Sequence, residues 1–184
     1  TSGFFVCGFQ VAFIAVHLPA YVTDLGMPVT VGASALALVG LFNVIGSYSA
    51  GVLGGKFSKK YLLNILYLAR AVVIVFLLLV PPSELVIYIF ASAMGLLWLS
   101  TVPLTSGLVG QIFGMRYMSM LFGIVFFSHQ IGSFLGVWLG GIVFDQTGSY
   151  DLIWYMSIAL ALFAGVIHWP IREEAIVRAP APAE

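Results

Sequence analysis

"IGSYSAGVLGGKFSKK" occupies residues 45–60, and "IGSFLGVWLGGIVFDQ" occupies residues 131–146, 86 positions later. A shift of 86 lays Ile45-Gly46-Ser47-Tyr48 on Ile131-Gly132-Ser133-Phe134, and Gly54-Gly55 on Gly140-Gly141. Both stretches are glycine-rich and apolar, yet the first ends on Lys56, Lys59 and Lys60 and the second on Asp145. Opposite charges at equivalent ends point to two copies of one unit whose ends emerge on opposite sides of a barrier.

Composition says what the barrier is. Hydrophobic residues make up 61% of the chain, mean hydropathy is +1.11, and only 7 Lys/Arg and 7 Asp/Glu occur in 184 residues. A soluble globule carries about a quarter charged residues, so this chain has too little polar surface to face water all round. The apolar runs approach or exceed the ~20 residues that cross a ~30 Å hydrocarbon layer, where backbone groups are satisfied only within helices or a closed barrel. Period-2 alternation is absent, which selects helices. Breakers such as "TDLGMP", "PPSE", "GMRY" and "DQTGSYD" divide the chain into six spans, at 3–21, 29–53, 61–80, 85–113, 118–144 and 152–171. The segment 172–184 is charged and then Ala/Pro-rich, and reads as a disordered cytoplasmic tail.

Positive residues in short loops stay in the cytoplasm. One side holds Lys56, Lys59, Lys60, Arg116, Arg172 and Arg178; the other holds only Asp24, Glu84, Asp145 and Asp151. Both termini of the segment therefore belong to the cytoplasmic side of a multi-pass protein, with the plasma membrane as the expected location. Three helices separate the copies, and an odd number inverts the second relative to the first. The expected fold is all-α: one domain, 1–171, of six transmembrane helices arranged as two inverted three-helix repeats, 1–80 and 85–171. Such repeats build secondary transporters. The competing reading is that the glycines serve close helix packing alone.

Other classes receive no support. Zero net charge and the lack of a Lys/Arg-rich amphipathic stretch argue against nucleic acid as a partner. No metal-ligand cluster, phosphate-cradling loop or cofactor motif occurs, so no cofactor and no metal are expected. Cys7 stands alone, which excludes an internal disulfide and marks a packing residue. The chain opens on Thr1 without a signal-peptide pattern and is expected to be a piece of a longer polypeptide.

Polar groups at mid-bilayer are the functional candidates. Gln10 and His17, seven apart, share a face of the first span. Asn43 lies in the second. Trp98, Thr101 and Thr105 fall on one face of the fourth, near a kink expected at Pro103. His129 and Gln130 follow Ser128 in the fifth, and the His129 imidazole is suited to carry a coupling proton. Each has a structural alternative, because hydroxyls and amides in lipid helices commonly back-bond to their own turn or bridge neighbours. Arg70 is the only formal charge inside a span, ten residues beyond Lys60 and so roughly 15 Å deep at about 1.5 Å per residue. A guanidinium there needs a partner: either a bound carboxylate or, as the favoured reading, carbonyls of a neighbouring helix.

Gly51-Val-Leu-Gly-Gly-Lys56-Phe-Ser-Lys59-Lys60 resembles the loop signature of the major facilitator superfamily, with Gly55 where the usual aspartate stands and Ser58 in place of the second glycine. The mirror turn, Gly141-Ile-Val-Phe-Asp145-Gln-Thr-Gly148, is similar to the family's turn between helices 11 and 12 and keeps its glycines and acid. The resemblance implies the C-terminal six-helix half of a twelve-helix transporter that works by alternating access, with an N-terminal half as its partner. It also implies that Gly51, Lys56, Lys59 and Lys60 form a cytoplasmic gating loop. "HLPAYVTDLG" and "FDQTGSYD" look most like the monocarboxylate-transporter-like branch. The expected activity is transport of a small organic solute, a monocarboxylate-like anion with protons, and not enzymatic catalysis. Alternatives are a non-transporting scaffold or relic, and an intramembrane serine hydrolase pairing Ser47 or Ser49 with His129, although the Gly-x-Ser-x-Gly elbow is absent.

Overall fold

The computed structural model describes residues 1–176. Its α-helices are α1 (Ser2–Asp24), α2 (Val29–Gly54), α3 (Lys59–Leu79), α4 (Glu84–Leu97), α5 (Thr101–Phe113), α6 (Met118–Thr147) and α7 (Asp151–His168), with a 3₁₀ turn at Met115–Tyr117. Helices at Ser2–Asp24, Val29–Gly54, Lys59–Leu79, Glu84–Phe113, Met115–Thr147 and Asp151–His168 are long and apolar enough to cross a membrane, giving the six spans expected. The boundaries follow the turn chemistry. Ser83 caps α4 by accepting from the Val86 amide at 3.3 Å, after Pro81-Pro82 has ended the third span. At the end of α6, Gly148 takes φ +67°, a left-handed conformation that glycine adopts without a Cβ penalty.

The packing has the symmetry of the repeat. α1 packs chiefly along α6, α2 along α4, and α3 along α7. Exchanging spans 1, 2 and 3 with 4, 5 and 6 turns the first–fifth pair into the fourth–second pair and leaves the third–sixth pair unchanged. The glycines of the opening stretches make these crossings. A Cβ on Gly46 would lie 2.0 Å from the Leu96 carbonyl oxygen of α4, and one on Gly132 would lie 2.0 Å from the Phe5 carbonyl oxygen of α1. The partner helices reciprocate with Gly95, 2.7 Å by the same measure from the Val39 carbonyl oxygen, and Gly8, 2.0 Å from that of His129. Lipid offers apolar side chains little reason to associate, so backbone contact of this closeness supplies the attraction through dispersion.

Two larger cores stack along the bundle, beside a small one of Phe4, Val109 and Val125. One, around Trp154, Phe13 and Phe90, fills the aspartate end; the other, with Val6, Cys7, Leu63, Tyr67, Leu104 and Leu108, fills the lysine end. Residues 172–176, the start of the expected tail, lie against the lysine end. Glu173 Oε1 accepts from Ser58 Oγ at 3.1 Å and from the Lys60 amide at 2.6 Å, and the Ile176 amide donates to Ile112 O at 2.9 Å. A carboxylate at the first turn of α3 satisfies an amide that the helix leaves orphaned. The rest of that tail, with Arg178, lies outside the described residues.

Gly46→Leu and Gly132→Leu should each force a helix pair apart, at a cost of about 1–3 kcal/mol or more. Gly40 and Gly123 have nothing within 4 Å of an added Cβ, and their alanine variants should be neutral or slightly stabilising. Thermal unfolding of the purified protein in detergent checks the contrast.

Candidate functional site

The fourth span is not one helix. The sequence predicts a kink at Pro103; the structure places a break at residues 98–100, between α4 and α5. Proline has no N–H to give Leu99 O, and its ring collides with that carbonyl in a continuous helix. Breaking the chain earlier puts Pro103 in the first turn of α5, where an N–H has no intrahelical partner anyway. Tight turns replace regular bonding: Trp98 N donates to Gly95 O at 3.1 Å and Val102 N to Leu99 O at 2.9 Å. The break also interrupts the face expected to carry Trp98, Thr101 and Thr105 together.

A break inside lipid frees backbone groups that nothing in hydrocarbon can satisfy. Arg70, from the middle of α3, takes the carbonyls. Its Nε and Nη2 donate to Leu97 O at 3.2 and 2.6 Å, and Nη2 also donates to Trp98 O. Nη1 donates to Gln10 Oε1 at 3.3 Å, Nη2 to Cys7 Sγ at 3.6 Å, and the guanidinium carbon stands 5.4 Å from the centre of the Tyr67 ring. On the opposite side Asn43 Oδ1 accepts from the freed Leu99 amide at 3.1 Å, while Ser100 Oγ donates to Leu96 O at 2.6 Å. Gln10 passes the connection on, its Nε2 donating to Ser157 O on α7 at 2.9 Å. Arg70 and Gln10 are each 1% exposed and Thr101 is fully buried. Among the described residues, Asp and Glu lie within three residues of a helix end or outside the helices, so the guanidinium at the centre is held by dipoles, a ring and the Cys7 sulfur. Among the described residues no His/Cys/Asp/Glu group is arranged to hold a metal.

Gln10, Asn43, Trp98 and Thr101 thus converge on the break, Trp98 through its carbonyl while its side chain joins the core. Thr101 Oγ1 lies 3.3 Å from Cys7 Sγ. Thr105, farther along α5, lines a cavity of about 320 Å³ with Leu63, Leu108, Val109, Val125 and His168. His129 is buried between α1 and α6, stacked on Phe126 at 5.4 Å, with Nδ1 3.3 Å from Gln130 Oε1 and 3.4 Å from Ser133 Oγ. Gln130 itself is exposed. Ser47 Oγ donates to Asn43 Oδ1 and Ser49 Oγ to Ile45 O, so neither serine is paired with His129.

His17 stands apart, at the aspartate end. Its Nε2 lies 3.0 Å from Val137 O and its Nδ1 3.3 Å from the Tyr150 hydroxyl. A carbonyl only accepts, so Nε2 carries the proton and Nδ1 accepts from the phenol. Burial, with Asp24 and then Asp145 adding to it, raises the Tyr150 pKa above its ordinary value and keeps that phenol a donor. At the lysine end Lys59 Nζ donates to Gln111 Oε1 at 2.8 Å and Lys60 Nζ to Trp169 O at 3.5 Å; Gly51 and Lys56 are exposed. In the mirror turn Asp145 is exposed, and Gly141 has nothing within 4 Å of an added Cβ. Sequence reading missed Cys7, Ser100 and Ser157 as members of the central network. The i, i+3 placement of Cys7 and Gln10 on α1 is the one signal that relates them.

Asn43→Ala leaves the Leu99 amide without an acceptor and is expected to cost about 1–3 kcal/mol. Ser47→Ala removes only a donor to the same oxygen and should stay within about 0.5 kcal/mol. Unfolding midpoints in detergent distinguish the two.

Comparison with known proteins agrees with this architecture. The family model described as Major Facilitator Superfamily matches residues 1–184. The chain is 31% identical over 170 residues to an uncharacterized MFS-type transporter, YcxA, of Bacillus subtilis (strain 168), covering 90% of the chain and 41% of that protein. It is 27% identical over 154 residues to Monocarboxylate transporter 12-B of Danio rerio, covering 77% of the chain and 30% of that protein. The chain spans less than half the length of these relatives. With six membrane-spanning helices packed as two inverted triplets and a family model matched from end to end, it belongs to the major facilitator superfamily.

Proposed function

We propose that residues 1–171 form the C-terminal half of a twelve-helix secondary transporter that moves a small organic anion of the monocarboxylate kind, with a proton, by alternating access. The broken fourth span carries the reading. A half-helix N-terminus at Thr101 and the guanidinium of Arg70 meet at mid-span, with the carboxylates of the described residues near the helix ends or beyond them. That centre is electropositive, and half-helix N-termini aimed at anionic substrates recur in secondary transporters. The likeness to Monocarboxylate transporter 12-B supports the same substrate class.

In this reading His129 carries the coupling proton and the exposed Gln130 beside it reaches the solute. Asn43, Gln10, Thr101 and Trp98 shape the wall behind them, while Thr105 and His17 lie toward its two ends. The missing N-terminal half would seat on two stripes related by the repeat. Leu41, Ile45, Tyr48 and Val52 on α2 are 60, 50, 75 and 43% exposed; Phe127, Ile131, Phe134 and Trp138, each 86 positions on, are 67, 43, 64 and 51% exposed. The lysine end faces the cytoplasm of a plasma-membrane protein, by the excess of cations there. Lys56, Lys59, Lys60 and Gly51 would then gate that mouth against the absent half, and residues 1–184 alone would not translocate solute.

Liposomes holding the full-length protein should accumulate a labelled short monocarboxylate when the outside is acidified. His129→Gln should abolish the pH-driven accumulation while leaving solute exchange measurable. Absence of uptake for every small organic anion under a pH gradient refutes the substrate assignment, and unchanged pH-driven accumulation in His129→Gln refutes the role of the imidazole.

A further inference from the structure

The second and third spans touch only slightly, whereas each packs closely against another helix. Between them runs a groove of about 230 Å³, floored by Leu96, Ser100 and Leu104 and walled by Gly46, Ser49, Ala50 and Leu53 of α2 and by Leu62, Ile65 and Leu66 of α3. Its two polar side chains are already occupied, Ser49 Oγ with Ile45 O and Ser100 Oγ with Leu96 O, so the groove offers an occupant a hydrocarbon wall.

The groove leads toward the lysine end. Gly54, one residue beyond Leu53, is so placed that an added Cβ would lie 2.7 Å from Leu104 and 4.0 Å from the Lys59 stem, which ties that stem to the groove floor. Lys56 is exposed and its ammonium has no protein partner among the described residues. Lys59 and Lys60 donate to the neutral oxygens of Gln111 and Trp169, and Lys60 Nζ also lies 4.9 Å over the Tyr61 ring. The Glu173 carboxylate is engaged by a hydroxyl and a backbone amide, not by an ammonium. Arg116 and Arg172 add two cations and Glu173 and Glu174 two anions, so the described side-chain charges of this end, with the three lysines, sum to plus three. Phe57, Tyr61 and Trp169 are 61, 48 and 65% exposed around it, the aromatic girdle of a membrane–water boundary.

An apolar slot at hydrocarbon depth that ends on lysines with no carboxylate partner among the described residues is complementary to one kind of molecule. We propose that the α2–α3 groove binds an anionic phospholipid, one acyl chain lying along Ala50, Leu62 and Leu66 and the phosphate held by Lys56, Lys59 and Lys60. The opposite end of the bundle provides the contrast: the pocket between the α1 and α6 ends is bounded by Asp24, Asp151 and Tyr150, a mouth that repels phosphate. The inference requires only that the chain crosses a membrane, and stands apart from what the protein transports.

The test uses the full-length protein in nanodiscs of phosphatidylcholine with and without phosphatidylglycerol, followed by native mass spectrometry. Phosphatidylglycerol should stay bound after release from the disc while phosphatidylcholine does not. Replacing each of Lys56, Lys59 and Lys60 by Gln should weaken retention roughly fivefold per lysine, the equivalent of the ~1 kcal/mol that a basic side chain contributes beside anionic lipid. Ser49→Phe fills the groove with all charges intact and should displace the lipid; because Ser49 is exposed, this variant remains informative if the lysine variants fold poorly. Glycerol 3-phosphate and inorganic phosphate, which lack acyl chains, should not be retained. Equal retention of the two phospholipids, retention unaffected by Ser49→Phe, or retention of the chainless phosphates would each overturn the proposal.

Discussion

Hydrocarbon cannot hydrogen-bond, and that prohibition governs this structure most where the backbone ceases to be helical. The freed groups at residues 97–99 are met one by one: Leu97 and Trp98 carbonyls by Arg70, the Leu99 amide by Asn43, the Leu99 carbonyl by a tightened turn. Because those partners come from α3 and α2, and Arg70 also grips Gln10 on α1, one irregularity in one span fixes the rotation of three others. The break is therefore a joint, and the residues around it are its fittings.

The same prohibition explains why glycine governs the rest. Helices with satisfied backbones are held together in lipid chiefly by dispersion at close approach and by a few side-chain hydrogen bonds such as Gln10 to Ser157 O. Gly46 with Gly95, and Gly132 with Gly8, bring two pairs of backbones into contact, and the two pairs join helices that exchange with the triplets, with Gly46 and Gly132 separated by 86 positions and Gly8 and Gly95 one position off that shift. The duplication thus appears twice: in the text of the sequence as Ile-Gly-Ser-aromatic, and in space as equivalent crossings. Lys56 and Asp145 stand at equivalent helix ends yet fall on opposite sides of the bundle, so one packing pattern serves both polarities of the membrane.

Much of this was readable in advance because its signals are local or periodic. Span number, inversion, and the tie from Arg70 to carbonyls all follow from hydropathy, an 86-residue shift and the energetic need of a buried cation. The location of the break was not readable. Proline marks where a helix cannot continue, but the chain yields where neighbouring donors can meet what is exposed, and Arg70 and Asn43 are 27 and 56 residues from their acceptor and donor in sequence. Cys7 was hidden for a related reason: a cysteine in an apolar run looks like packing, and only the tertiary fold brings Thr101 to its sulfur. The contact of Glu173 with the Lys60 amide was equally illegible, since composition does not say that an orphaned helix terminus will take up a particular carboxylate. The candidate polar residues were mostly located by depth alone, and depth does not say whether a side chain faces a neighbour, as Gln10 does, or open space, as Gln130 does.

Arg70 and the break each require the other. A guanidinium at this depth is costly without acceptors, and two free carbonyls at this depth are costly without donors. Brought together they cancel much of the cost, since carbonyl dipoles supply the negative potential that a carboxylate would have supplied, without adding a second ion to be desolvated. A dipole also differs from a counter-ion in what it leaves behind: carbonyls stabilise the charge of Arg70 without cancelling its field. An aspartate at Gln10 would close that field in an internal ion pair. Glutamine adds no such charge, so Arg70 is held by the carbonyls of the break, an amide oxygen and the Cys7 sulfur and not by a carboxylate.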